Sequence, residues 1–253
     1  IEDIMETEII SVSTLTDKED VAHQLRKYDL LALPVLDTDG LLVGIVTFDD
    51  AMDVMVEEAT EDITKMAAVS PSEKTYFEVS AWEHAKRRIP WLLVLMFSSI
   101  ITGTIITRYE DAFAAIPLLV SFIPMLMDTG GNCGSQSSTL IIRGIALNQV
   151  TFHDFFRVIW KEFRVSLIVG VVLAVANGLR IYLTYQQAGM AVVIALSLVA
   201  TVISAKLLGC ILPMCAKKIG LDPALMASPL ITTIVDASSI MIYFFIATKV
   251  FHL

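Results

Sequence analysis

Residues 223–248 read Pro-Ala-Leu-Met-Ala-Ser-Pro-Leu-Ile-Thr-Thr-Ile-Val-Asp-Ala-Ser-Ser-Ile-Met-Ile-Tyr-Phe-Phe-Ile-Ala-Thr, an apolar run in which Asp236 is the one charged residue. A helix of about 20 apolar residues crosses the hydrocarbon core of a bilayer. A carboxylate at that depth costs at least ~2.5 kcal/mol. The cost is offset when the carboxylate faces a wet cavity or meets a cation. Asp236 therefore reads as an ion site on a path through a membrane. Thr232 lies one turn earlier on the same face, beside Thr233, and Ser238 and Ser239 follow. Pro229 is expected to free the carbonyl of Leu225, making Pro229, Thr232 and Asp236 a polar stripe. Asp222 precedes Pro223 at the start of the span. It reads either as an N-cap ahead of a first-turn proline or as a further cation ligand.

Composition divides the chain in two. Residues 1–88 carry 20 acids and 8 bases, whereas residues 89–253 carry 7 acids and 10 bases. The first part reads as an acidic soluble domain and the second as a membrane domain. An acidic domain repels nucleic acid and attracts metal cations. Cys133, Cys210 and Cys215 match neither a metal spacing nor a disulfide framework and read as small apolar packing residues. The chain begins at Ile1 without an initiator methionine, which suggests a trimmed piece whose N-terminal part is missing.

Apolar runs in residues 89–253 predict five transmembrane helices: 89–107, 113–147, 165–185, 191–215 and 223–250. Basic residues fall at alternate ends, at Lys86, Arg87 and Arg88, then Arg143, Arg157, Lys161 and Arg164, then Lys217 and Lys218. The positive-inside bias puts the soluble domain in the cytoplasm and the C-terminus outside the cell membrane. Lys206 and Arg180 are exceptions, expected to snorkel or to face a wet cavity.

The second span contains Pro124-Met-Leu-Met-Asp-Thr-Gly-Gly-Asn-Cys-Gly-Ser-Gln-Ser-Ser-Thr-Leu140. It is too polar to face lipid. Gly130, Gly131 and Gly134 permit either close helix packing or local unwinding that turns freed carbonyls into ligands. Asn132 and the hydroxyl and amide groups after it add further oxygens, which favours a reentrant or pore-lining segment.

Upstream, residues 9–58 follow the order β-α-β-β-α. Strands are expected at 9–12, 31–36 and 41–48, with a hairpin at Asp37-Thr-Asp-Gly40. Thr16 and Glu19 form an expected capping box for a helix that buries Val21, Ala22 and Leu25. A second helix is expected from Asp49 to Glu58. Asp50, Asp53, Glu57 and Glu61 share one of its faces, and Glu58 with Asp62 adds a second like-charge pair. No Lys or Arg falls between Asp29 and Asp62. The face reads as a set of hard oxygen ligands for a cation such as Mg²⁺ or Ca²⁺, or else as a solvated surface. Residues 66–88 form a connector, with an amphipathic helix at 77–88 that carries Trp82 on its apolar side and is suited to a membrane surface.

Two resemblances follow from these residues. Asp3-Ile-Met5, Leu33-Pro-Val-Leu-Asp37 and Gly40-Leu-Leu-Val-Gly-Ile-Val-Thr-Phe-Asp-Asp50 resemble a CBS module, normally one of a tandem pair. In many such modules the residues matching Thr47 and Asp50 touch an adenosine ribose, so ATP is an implied ligand. Thr129-Gly-Gly-Asn-x-Gly-Ser-Gln-x-Ser-Thr139, Arg143-Gly144, Leu221-Asp-Pro-Ala224 and Thr232-Thr-x-x-Asp236 resemble the MgtE magnesium channels and transporters. That resemblance implies a CBS module at 1–65, a connecting helix at 66–88 and a five-helix pore domain at 89–253. It also implies a homodimer in membrane lipid, with Mg²⁺ held by Asp236 near Gly131, Asn132 and Thr232. Cytosolic Mg²⁺ bound by the acids of the CBS module would close the pore. Members usually carry an acidic helical domain and a first CBS module ahead of this point. The physical chemistry agrees: Mg²⁺ keeps several waters, so a site with few carboxylates and many acceptors suits it. No enzyme chemistry is indicated. Two other readings stay open, a proton- or sodium-coupled cation transporter with Asp236 as relay, and a membrane-anchored nucleotide sensor.

Overall fold

The computed structural model describes residues 9–72 and 74–252, apart from the side chains of Phe113 and Ser228. Asp3-Ile-Met5, the start of the CBS-like pattern, lies outside the described residues. The chain forms two units that divide between Ile63 and Thr64.

The first unit contains β1 (Val12–Ser13), α1 (Lys18–Lys27), β2 (Ala32–Leu36), β3 (Leu42–Thr47) and most of α2 (Phe48–Met66). The sheet order is β1-β2-β3, with β1 parallel and β3 antiparallel to β2. The hairpin forms where the sequence placed it. The Asp37 carboxylate accepts from the amides of Asp39 and Leu41, and Gly40 takes φ +78°. Val21, Ala22 and Leu25 of α1 are buried with Val12, Leu33 and Ala51. The cap of α1 lies one residue later than expected. Asp17, not Thr16, accepts from the Glu19 amide at 2.9 Å, while the Thr16 hydroxyl accepts from the Ser13 amide. Helix α2 runs well past Glu58, because nothing between Phe48 and Met66 breaks it.

The second unit is built from helices. They are α3 (Ala81–Arg108), α4 (Glu110–Ala115), α5 (Ile123–Ala146), α6 (Phe155–Tyr185), α7 (Ala188–Lys218) and α8 (Ser228–Phe251). Short 3₁₀ turns at Pro117–Phe122, Phe152–Asp154 and Pro223–Met226 precede α5, α6 and α8. Among the described residues four segments are long and apolar enough to cross a membrane: Ala81–Arg108, Phe152–Tyr185, Ala188–Lys218 and Pro223–Phe251. Helix α5 is long enough, at 24 residues, but its Gly, Ser, Asn and Gln content keeps it out of that set.

Three expectations are corrected. The connector does not form a helix of its own. Ser80 caps α3 through the Glu83 amide, and the basic residues 86–88 are early turns of the same 28-residue helix that carries the first apolar run. The second span does not begin near Phe113 and does not unwind: α5 is continuous from Ile123 to Ala146. The last span is two pieces, with Ala227 extended between the 3₁₀ turn and α8. Pro229 therefore sits in the first turn of α8, where no helical bond at Leu225 is lost.

The glycines explain why α5 stays helical. A Cβ on Gly130 would lie 2.7 Å from Ser239 Oγ and 2.9 Å from side-chain carbons of Thr201 and Val235. One on Gly134 would lie 2.7 Å from Ile231, and one on Gly209 of α7 would lie 2.4 Å from the Gly134 carbonyl oxygen. The glycines thus bring α7 and α8 against the α5 backbone, as small residues do in membrane helix packing. A larger apolar core of Leu119, Phe122, Leu126, Ile194, Leu198 and Phe244 lies beside this contact. The Tyr243 hydroxyl closes it by donating to the Leu119 carbonyl at 2.9 Å.

Replacing Gly209 with alanine forces the Gly134 backbone away and is expected to destabilise by about 1–3 kcal/mol. Gly103 in α3 has nothing within 4 Å of an added Cβ, so Gly103→Ala is the control and should not destabilise. Thermal unfolding in detergent separates the two. Equal stability of Gly209→Ala and Gly103→Ala would contradict the packing account.

Candidate metal centre

Helix α5 has two unlike faces. Gly130, Gly131, Cys133, Gly134, Ser137, Ser138, Ile141 and Ile142 are buried. Asp128, Asn132, Gln136, Thr139 and Arg143 are exposed, in steps of three and four residues that keep them on one side. A polar stripe of this kind on a helix packed among membrane-spanning segments needs water or another polar surface opposite it.

Asp236 lies at the edge of that stripe. It is half-buried on α8, and its Oδ1 is 3.9 Å from where a Gly131 Cβ would stand. The Thr232 side chain is closer still, at 3.1 Å from the same point. The structure thus brings Asp236, Thr232 and Gly131 together, with Asn132 exposed on the adjoining turn of α5. Asp128, one turn before Gly131, is within electrostatic range of Asp236. Sequence reading passed over Asp128, although its four-residue spacing from Asn132 was the available signal.

The Thr232 and Thr233 hydroxyls both donate to the Pro229 carbonyl at 3.0 Å. With its proton committed, the Thr232 oxygen can only accept. That is the polarity a metal-bound water, a donor, requires. Of the two readings of Asp222, cap and cation ligand, the structure shows the cap. Its Oδ1 accepts from the Ala224 amide at 2.8 Å, and its Oδ2 is 2.7 Å from Lys65 Nζ. Ser138 of α5 holds the same 3₁₀ turn by donating to the Met226 carbonyl at 2.7 Å.

The acids of α2 belong to the other unit. Asp50, Asp53, Glu57 and Glu61 run along the helix as the spacing requires. Repulsion at Glu57 and Glu58 is relieved by a residue distant in sequence: Lys18 Nζ lies 3.0 Å from Glu58 and 3.6 Å from Glu57. The hydrogen bond and charge of Glu58, then Glu57, hold the Lys18 ammonium above its usual pKa. Glu61 and Asp62 also have partners. Among the described residues no three His, Cys, Asp or Glu side chains converge on a ready-made metal cage within this chain. Asp50 accepts from the Thr47 hydroxyl at 2.5 Å and lines a cavity of about 250 Å³ together with Lys18 and Val12.

Comparison with known proteins bears on both units. Residues 1–57 match the CBS domain, and residues 123–246 match the family described as divalent cation transporter, MgtE. Relatives named magnesium transporter MgtE come from Bacillus subtilis at 39% identity over 100% of this chain, Thermus thermophilus at 38% over 97%, and Enterococcus faecalis at 36% over 98%. The chain spans about half the length of these relatives, 55%, 54% and 54% respectively. The family and the relatives are named as transporters, and the family match covers α5 through most of α8, the helices that carry the candidate centre.

Proposed function

We propose that this chain supplies the pore and one regulatory module of a Mg²⁺ channel. The observation that carries the reading is the placement of Asp236 beside Gly131 at the edge of the exposed polar stripe of α5. Five membrane crossings follow if α5 spans the bilayer with that stripe turned from lipid. The simplest cover for the stripe is a second copy related by a twofold axis, with water and Mg²⁺ between the copies. Such a pore has a carboxylate from each subunit and a rim of acceptors, which suits an ion that keeps its water shell. The names of the relatives support Mg²⁺ as the ion.

The positive-inside bias places the CBS module in the cytoplasm and the C-terminus outside. An inside-negative potential then contributes roughly 4.6 kcal/mol per 100 mV to entry of a divalent ion. The acids Asp50, Asp53, Glu57, Glu58, Glu61 and Asp62 would bind cytosolic Mg²⁺ together with acids of a neighbouring module or subunit. The bound ion bridges surfaces that otherwise repel, and the channel closes as internal Mg²⁺ rises. ATP at the Thr47 and Asp50 end of the module is a second regulatory ligand, a reading supported by the cavity that Asp50 lines. A proton- or sodium-coupled transporter with Asp236 as relay is the competing reading. It differs in requiring a counter-ion gradient where a channel follows voltage alone.

Two measurements test this on the full-length protein in proteoliposomes. Asp236→Asn should remove Mg²⁺ flux while leaving assembly and thermal stability in place. Flux at the wild-type rate would refute the pore reading. Neutralising Asp50, Asp53, Glu57 and Glu61 together should leave the channel open at internal Mg²⁺ concentrations that close the wild type. Unchanged closure would reduce the acidic face to a solvated surface.

A further inference from the structure

Three polar side chains from three helices meet inside the helical unit, away from Asp236. Ser137 comes from α5, Glu162 from α6 and Lys206 from α7. Ser137 is fully buried, Lys206 is 5% exposed and the Glu162 side chain 12%. The Ser137 hydroxyl donates to Glu162 Oε2 at 2.7 Å and accepts from Lys206 Nζ at 3.3 Å. Lys206 and Glu162 are themselves 4.0 Å apart. The hydroxyl therefore bridges a buried ion pair. Sequence alone suggested that Lys206 snorkels or faces a wet cavity; its ammonium is instead buried against Ser137 and Glu162. Glu162 was hidden in sequence by its basic neighbours Lys161 and Arg164.

A charge inside a membrane domain is costly, and a buried pair repays that cost only with good geometry. This pair lies beside the point where Gly209 of α7 meets the α5 backbone at Gly134. Gly134 stands three residues before Ser137, and Gly209 three residues after Lys206. A Cβ on Gly209 would meet the Gly134 carbonyl at 2.4 Å and Ser137 Cβ at 3.1 Å. The close contact fixes how near α5 and α7 lie. The hydrogen bonds of the Ser137 hydroxyl, being directional, set the height and rotation of α5 against both α6 and α7. Gly131 is six residues from Ser137, about 9 Å along the helix, and it meets Thr232 and Asp236 on α8. A turn of α5 about its axis would move Gly131 off Asp236 and carry Asp128 and Asn132 with it.

We propose that the Lys206–Ser137–Glu162 bridge is a positioning unit for the cation site, holding α5 so that Gly131 abuts Asp236. The proposal rests on the reading of Asp236 as the Mg²⁺ site. The bridge contacts no ion. It acts through the α5 backbone, as outer supports do around metal ligands.

The test measures Mg²⁺ flux against Mg²⁺ concentration, per folded protein, for Ser137→Ala, Glu162→Gln, Lys206→Met and the Glu162→Gln/Lys206→Met double variant, with Asp236→Asn as reference. Each single charge variant leaves its partner buried and unpaired and should fold poorly. The double variant and Ser137→Ala should fold. Both should raise the half-saturating Mg²⁺ by roughly tenfold or more, the effect of losing an outer support. A purely structural role would lower the yield or the maximal flux without moving half-saturation. Wild-type half-saturation in folded Ser137→Ala and in the double variant would overturn the proposal while leaving the pore reading intact. Absence of Mg²⁺ flux in the wild type would overturn both.

Discussion

The close approach of α5 to α7 and α8 is the constraint on which the membrane half depends. In lipid, apolar surface gains little by leaving its surroundings, so helices associate through dispersion contacts and hydrogen bonds. Gly130, Gly134 and Gly209 remove the side chains that would hold the backbones apart. Once α5 is drawn in on that face, its remaining groups are committed. Ser137 reaches Glu162, Ser138 reaches the Met226 carbonyl, and Gly131 meets Asp236. The amide and carboxylate side chains at Asn132, Gln136 and Asp128 are left on the open side.

The same constraint separates two kinds of buried polarity. The Lys206–Ser137–Glu162 bridge is internally satisfied and has no demand on an ion. Among the described residues Asp236 has no such bridge; a second carboxylate at Asp128 lies within electrostatic range, and Thr232 stands one turn before it on α8. A carboxylate so placed is suited to a cation that brings its own donors, as hydrated Mg²⁺ does. The first unit shows the parallel case. Lys18 answers Glu57 and Glu58, while Asp50 and Asp53 have no basic ion-pair partner among the described residues.

Local signals in the sequence were strong wherever one residue type answers one backbone need. Asp37 and Gly40 specified their hairpin, and the α1 apolar positions their core. The β-α-β-β-α order and the pairing of Asp236 with the Gly131 stretch were legible for the same reason: both rest on short, dense motifs. What escaped was set by contacts between distant segments. The glycines of α5 permitted unwinding or packing, and only the positions of Ser239, Ile231 and Gly209 decide for packing. Lys206 and Glu162 stand 44 residues apart, and no local pattern joins them. The basic stretch at 86–88 read as a separate helix because its composition changes there, yet backbone hydrogen bonding is indifferent to that change and α3 runs on.

The central claim is that the exposed stripe of α5 lines a water-filled path occupied by Mg²⁺. Its most direct test places a cysteine at Asn132 in full-length protein lacking Cys133, Cys210 and Cys215, and follows its reaction with a charged, water-soluble thiol reagent. Leu179, exposed beside the apolar groove between α6 and α7, provides the lipid-facing reference as Leu179→Cys. The account predicts that Asn132→Cys reacts, that millimolar Mg²⁺ slows the reaction, and that Leu179→Cys stays inert. An Asn132→Cys as inert as Leu179→Cys, or one whose reaction ignores Mg²⁺, would contradict it.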